Sequence, residues 1–302
     1  MTAASDAYSV SEVQANWVLE TEAMGSKDKF WYRSAEAHPR LFKYPQPQTG
    51  QHWAEKIAAE VAECLNIVHA QVELAVFQGT RGSATETFAR DGRELFHGNQ
   101  VMAGYVSGYD PGKRFRQCDH TLPNIFLALD RAFTSAEAAE RAKLGIANYC
   151  LLDALIGNTD RHHENWGILR KRTGDRWFGW LAPSFDHASS LGRELRDDGA
   201  GKSRTRLLQE RRIGLYAERA PGAIFWRSTD RKGLSPIELV RRACVDFPGQ
   251  FLQALRGLEQ VDVNVLRQTV DRVPEDWMSA TARDFAVQLM TYTLAQLRSI
   301  AR

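Results

Sequence analysis

The stretch "LLDALIGNTDRHHENWGIL", Leu151 to Leu169, decides the reading of this chain. Two apolar runs, at Leu151 to Ile156 and Trp166 to Leu169, enclose a polar island. There Asp160, Arg161, His162, His163 and Glu164 put five ionisable side chains beside the amide of Asn165. Upstream, Ala136 to Ile156 carries apolar groups at four-residue spacing, which predicts a long buried helix. Downstream, "WGILRK" (166–171) and "RWFGWLAP" (176–183) read as two strands joined by the Thr173-Gly174-Asp175 turn. The island therefore falls on a loop between a helix and a strand pair, where a rigid scaffold can present polar side chains.

Working outward, "NWVLET" (16–21) and "FWYR" (30–33), separated by the polar "MGSKDK" (24–29), predict a hairpin. A third strand follows at "RLFKY" (40–44), closed by Pro45 and the breaker-rich "PQPQTG". In "QHWAEKIAAEVAECL" (51–65), Trp53, Ile57, Val61 and Leu65 form the stripe of an amphipathic helix. "VELAVFQ" (72–78) and "GSATETFA" (82–89) then read as two more strands, and Asp91-Gly92 as another turn. Beyond about residue 103 the pattern is helical, at Leu122 to Phe133 and Ala136 to Ile156. It is helical again from Arg204 onward, with interruptions near Gly214, Pro221, Pro236 and Pro274. This order predicts an α+β fold: a β-rich part over 1–102, with a five-stranded sheet and one helix, and a larger helical part over 103–302.

Apolar content of 43 % and charged content of 25 % exclude wholesale disorder and fibrous architecture. The 39 basic and 37 acidic residues leave a net charge of +2, which argues against nucleic-acid binding through a global field; such binding would need a local patch. Cys64, Cys118, Cys150 and Cys244 are widely spaced without a CxxC pair, against a zinc site or a disulfide framework. "MTAASDAYSV" has no basic segment leading into an apolar one, and no run reaches the roughly 18 apolar residues of a membrane span, so a cytoplasmic protein is expected. Lys202 to Arg212 holds five basic residues against one Glu and reads as a solvated helix face or mobile loop in preference to a phosphate- or nucleic-acid-binding patch.

Asp160 and Asn165 are followed 21 residues after Asn165 by Asp186, in "SFDHASS". Metal-assisted phosphoryl transfer needs such a set. One carboxylate accepts the proton of an attacking hydroxyl, while an amide oxygen and a second carboxylate hold magnesium against nucleotide phosphates. Asp160 suits the base, and Asn165 and Asp186 the metal. Lys43, on the third predicted strand, suits the phosphates; Glu55 and Glu60 both qualify as the acidic partner that orients it. A competing reading gathers His162, His163, Asp186 and His187 around a transition metal in a phosphohydrolase. Within the phosphoryl-transfer reading, His162 orients the catalytic loop and His163 is the more exposed. Trp166, Trp177 and Trp180 read as core residues, and Ser189, Ser190 and Ser203 as solvated loop serines.

"LIGNTDRHHENWGIL" followed by "LAPSFDHASSLG" resembles the C-terminal kinase domain of the HipA-like serine/threonine kinases, toxins of bacterial toxin–antitoxin systems. The resemblance runs back through "LFKYPQPQTGQHWAEKIAAEVAECLNI" and "MGSKDKFWY", covering about Ala23 to Gly192. It implies a two-lobed protein-kinase-like fold that uses ATP and Mg2+, with Asp160 as catalytic aspartate and Asn165 and Asp186 on the metal. Lys43 is then the phosphate-binding lysine, and Met24, Gly25, Ser26, Lys27, Asp28 and Lys29 form the loop over the phosphates. Glu55 belongs to the nucleotide site, with His162 adjacent to the nucleotide and Glu86, Thr87 and Phe88 as the hinge against adenine. Partners implied are a protein substrate, with aminoacyl-tRNA synthetases as the class, and an antitoxin. Only residues 1–23 precede the loop, as in the shorter HipT-like or stand-alone members. Glu22 stands where HipA carries a regulatory autophosphorylated serine, so either its fixed charge substitutes for that phosphate or regulation has moved to Thr21 or Ser26. A nucleotide-binding pseudokinase acting as an interaction protein is the remaining alternative.

Overall fold

The computed structural model describes residues 6–21, 29–34, 38–199 and 201–300. Two compact units emerge, each assembled from three stretches of chain: Met1–Thr87, Asp186–Gly214 and Val261–Tyr292 in the first, and Phe88–Phe185, Leu215–Gln260 and Thr293–Arg302 in the second. The chain thus first passes between units after Thr87, and again between Phe185 and Asp186. A single cut near residue 102 describes the sequence pattern, whereas the units are interleaved.

The first unit is built on a sheet of β1 (Val10–Val13), β2 (Val18–Thr21), β3 (Lys29–Tyr32), β4 (Arg40–Lys43), β5 (Val72–Phe77) and β6 (Thr80–Glu86). Its spatial order is β1-β5-β6-β4-β3-β2, with β1 parallel to β5 and the other pairs antiparallel. Six strands replace the five expected. The sixth, β1, lies in the polar "VSEV" and owes its state to pairing with β5, about sixty residues away, rather than to its own pattern. Inward residues of β3, β4 and β5 stack Phe30, Phe42 and Phe77 together, with Phe30 and Phe42 rings 5.1 Å apart. Helix α1 (Gln51–Cys64) packs on β5 and β6. It buries the expected Trp53, Ile57 and Val61 together with Ala54, Ala58, Ala59 and Ala62, small residues that let it lie close to the sheet.

The second unit holds the antiparallel sheet β7 (Arg93–His97), β8 (Gly167–Thr173) and β9 (Arg176–Leu181), and the helices α2 (Gly98–Tyr105), α3 (Leu122–Ala132) and α4 (Ala136–Ile156). Strand β7 joins the predicted pair as a third member. Helix α4 has the predicted bounds. Its last eleven residues, Ile146 to Ile156, are buried except Asn148, because α3, α7 (Pro236–Asp246), α8 (Pro248–Arg256) and β9 pack around it. Short α5 (Arg204–Gln209) and α9 (Val263–Asp271) belong to the first unit, while α6 (Ile213–Arg219) and α10 (Ala280–Ile300) contribute residues to both. Pro236, expected as an interruption, begins a helix, as does Pro248, since the missing N–H of a first-turn proline has no intrahelical partner to lose. No helix among the described residues is long and apolar enough to cross a membrane.

Candidate active site

In the first unit, β4 ends on Lys43, in register with Lys29 of β3 on one side and Ser83 of β6 on the other. A side chain at Gly82 would collide with the Phe42 ring and come within 2.6 Å of the Lys43 carbonyl, so glycine there lets β6 close on this strand end. Lys43 Nζ donates to Asp186 Oδ1 at 3.2 Å and lies 3.8 Å from Glu55 Oε2. Glu55 is almost fully buried on α1, and its Oε1 accepts the backbone N–H of His187 at 2.9 Å. A buried carboxylate needs such partners to remain charged. Glu60, the other candidate, instead pairs with Lys56 at 2.6 Å and with Arg272 at 3.5 Å. The structure therefore joins Lys43 to Glu55 and turns Glu60 elsewhere. Asp186 adopts left-handed backbone geometry, φ 58°, which Asp tolerates better than most residues.

In the second unit the polar island starts where α4 stops. Gly157, at φ 66°, closes the helix in the left-handed conformation that glycine adopts at little cost. Asp153 on the last turn of α4 then organises the loop. Its carboxylate takes two parallel bonds of 2.8 Å from the Arg161 guanidinium and one of 2.7 Å from Asn158 Nδ2. Asn158 Oδ1 in turn accepts the Asp160 N–H. Arg161 also donates to the Asn165 carbonyl at 2.8 Å, the Phe185 carbonyl at 3.3 Å and Ser184 Oγ at 3.0 Å. Burial works against its charge, but the adjoining Asp153 carboxylate more than offsets this and holds the guanidinium pKa above its ordinary value. Asn165 Nδ2 donates to the Asp160 carbonyl at 2.8 Å, which leaves Oδ1 as the amide atom suited to a cation. Residue-type reasoning misses the buried Asp153–Arg161 pair, because it seeks chemistry in the island and not the island's anchor. An aspartate inside an apolar helix run is the signal that could have found it.

The relative exposure of the two histidines is the reverse of that expected. His163 is buried, at 1 % exposed, with Nδ1 2.8 Å from the Tyr109 hydroxyl, whereas His162 is the more exposed of the two. Among the described residues no group of three or more His, Cys, Asp or Glu is arranged to hold a metal ion. Trp166 is a core residue, donating from Nε1 to His120 Nε2 at 3.1 Å, but Trp177 and Trp180 are exposed on β9. Ser190 and Ser203 are buried rather than solvated: Ser190 bonds the His187 carbonyl and Ser203 caps α5. Within Lys202 to Arg212, Arg204 is buried against Asp197 at 2.8 Å, while Arg206 and Arg212 pair with Glu210 in the open. Glu86 pairs with Arg40, the Thr87 N–H bonds the Pro39 carbonyl, and Phe88 packs on Phe185 with rings 5.3 Å apart. Met24, Gly25, Ser26, Lys27 and Asp28 of the expected phosphate loop, with Glu22, lie outside the described residues, as does the side chain of Thr21.

His120 is held neutral: Nδ1 bonds the Ala223 carbonyl and Nε2 accepts from Trp166. Burial pushes its pKa down to about 3, from 6.5, and pushes that of His163 down as well. The unfolded chain therefore takes up protons that the native state refuses. The stability linked to these groups is intact above about pH 6.5 and is lost as pH falls toward 3, with His120 contributing up to about 1.4 kcal/mol per pH unit. Urea titrations are expected to show a midpoint that falls below pH 6.5, and a shallower fall for His120→Gln.

A lysine clamped between a helix glutamate and an aspartate, and an Asp-x4-Asn loop closing a buried helix, define a protein-kinase-like chain. The model of the HipA-like C-terminal domain matches residues 20–233, and the chain belongs to that family. Its fold is shared with the Helicobacter pylori proinflammatory kinase CtkA, at 19 % identity and a TM-score of 0.74 over 90 % of this chain and 92 % of that one. It is also shared with HipA of Shewanella oneidensis MR-1, from a toxin–antitoxin complex with HipB and operator DNA. There the identity is 14 % and the TM-score 0.59, over 95 % of this chain and 66 % of that one. No curated protein sequence matches. Family and fold together make the chain a HipA-like kinase.

Proposed function

We propose that the chain is an ATP- and Mg2+-dependent serine/threonine protein kinase that passes the γ-phosphate to a protein hydroxyl. The observation that carries this is Lys43, held at 3.2 Å by Asp186 and at 3.8 Å by Glu55 on α1. In this reading Lys43 and the Met24–Lys29 loop bind the phosphates, Glu86 to Phe88 meet adenine and His162 lies beside the nucleotide. Asp160 accepts the hydroxyl proton. Asn165 and Asp186 offer hard oxygen donors, the type Mg2+ prefers alongside phosphate and water. The bound cation supplies neutralisation of phosphate charge. The setting is the cytoplasm.

Because the Shewanella relative is a HipA seen with HipB, the proposal extends to a toxin governed by an antitoxin. Its protein substrate is drawn from the aminoacyl-tRNA synthetase class that the family resemblance implies. Incubation with γ-labelled ATP, Mg2+ and candidate proteins tests the core claim. Label on a serine or threonine supports it, and ATP binding without transfer to any protein, itself included, would favour the pseudokinase.

Glu55 acts through Lys43 and is a positioning residue. Glu55→Gln is expected to lower kcat/KM for ATP by about tenfold or more, and Glu60→Gln to leave it within about twofold. Equal losses in steady-state kinetics would place the orienting carboxylate wrongly.

A further inference from the structure

The sheet β7–β8–β9 is covered on one face around Phe96, Ile168 and Leu181, and its other face is exposed at Arg93, Phe178 and Trp180 around a buried Leu169. Directly paired residues share a face, and Phe96, Ile168 and Leu181 line up on the covered one. Leu181 packs closely on Gly145 of α4, and Gly179 faces the Phe133 ring. The open face carries two cross-strand rows, Arg93–Lys171–Phe178 and Leu95–Leu169–Trp180, with Arg176 opposite Thr173 at the sheet end. Phe178 is 47 % and Trp180 45 % exposed. Their rings lie 6.5 Å apart and within 19° of parallel, close to twice the roughly 3.4 Å rise between bases. The Arg93 guanidinium sits 5.5 Å over the Trp180 ring. None of the paired positions on this face is a carboxylate, since Glu94 points to the other face and Asp175 lies in the turn.

We infer that this open face binds single-stranded nucleic acid, bases stacking on Phe178 and Trp180 and phosphates meeting Arg93, Lys171 and Arg176. Parallel exposed rings offer π-faces to any base, and cations at their margins neutralise a backbone that follows the strand. A near-neutral chain gains no such affinity from its overall field, so the local patch must supply it. A dry protein interface fits less well, because the centres of such interfaces are depleted of charge, whereas here cations stand within the aromatic cluster. The inference does not depend on phosphoryl transfer.

Fluorescence anisotropy of the full chain with labelled oligo(dT) and oligo(U), without ATP, tests it. Binding is expected to weaken with salt and to be stronger for single strands than for a duplex. Phe178→Ala with Trp180→Ala should weaken it about tenfold or more, and Arg93→Gln with Arg176→Gln should lower the salt slope by about two. Phosphate transfer in all these variants should match the wild type. Trp180→Leu, which keeps an apolar side chain, serves the same purpose should the double alanine variant fail to fold. The inference is overturned by absence of binding at low salt or by unchanged affinity in the aromatic variants. It is equally overturned by a poly-glutamate peptide competing as well as the oligonucleotide, or by a patch whose loss alters only self-association in sedimentation.

Discussion

Asp160→Asn is expected to reduce phosphate transfer by about 10²- to 10⁴-fold, while the chain folds as before and retains most of its affinity for ATP. The substitution keeps the side chain's size and removes its proton-accepting charge. Three contacts that hold the loop in place here run through main-chain atoms: the Asp160 N–H to Asn158 Oδ1, and its carbonyl to the N–H of His162 and the amide of Asn165. All three survive the change. A melting temperature within a degree or two of wild type, with transfer lost in a single-turnover assay, is the expected pair of results. Full transfer by the variant would remove Asp160 from the proton step.

Arg161→Met should be the most damaging substitution in the polar island for stability, although Arg161 is given no part in the chemistry. It strands the buried Asp153 carboxylate together with the Asn165 and Phe185 carbonyls, all of which accept from Arg161. Removing one partner of a buried pair costs about 3–5 kcal/mol. For a chain of this size that corresponds to a fall of roughly five to eight degrees in melting temperature. Asp153→Leu combined with Arg161→Met removes the stranded charge and should recover much of that stability. Transfer should stay low in the double variant, because Asn165 and the chain leading into Asp186 are still without their anchor. Recovery of stability and transfer together would make the pair structural only, with no role in placing the loop.

The helices and central strands are legible because each repeats locally. The stripe of α1 and the bounds of α4 follow from spacing alone, and the order of lysine, Asp-x4-Asn and Asp is enough to indicate phosphate chemistry. Strands β1 and β7 are not legible, since "VSEV" and "RELFH" carry weak patterns and become strands by pairing with β5 and β8. Residue type alone sends Trp177 and Trp180 inward. Trp180 is exposed because it stands on the uncovered face of the edge strand β9, whereas Trp177 shares the face of Gly179 and Leu181 and is exposed because it lies at the turn end of the β8–β9 hairpin, beyond the cover that Phe133 and α4 provide.

The sequence by itself determined the α+β class, the helix-loop-strand setting of Asp160 and Asn165, and the resemblance to HipA-like kinases that the family match upholds. Only the tertiary structure decided between Glu55 and Glu60, five residues apart on one helix and chemically alike. The choice depends on which of them faces the end of β4, where Lys43 waits, and which meets Lys56 and Arg272. It also decided that Arg161 is an anchor and His163 a buried residue. A local pattern reports which faces are apolar, whereas the partner of a buried charge is set by contacts between segments distant in sequence, and those exist only once the chain has folded.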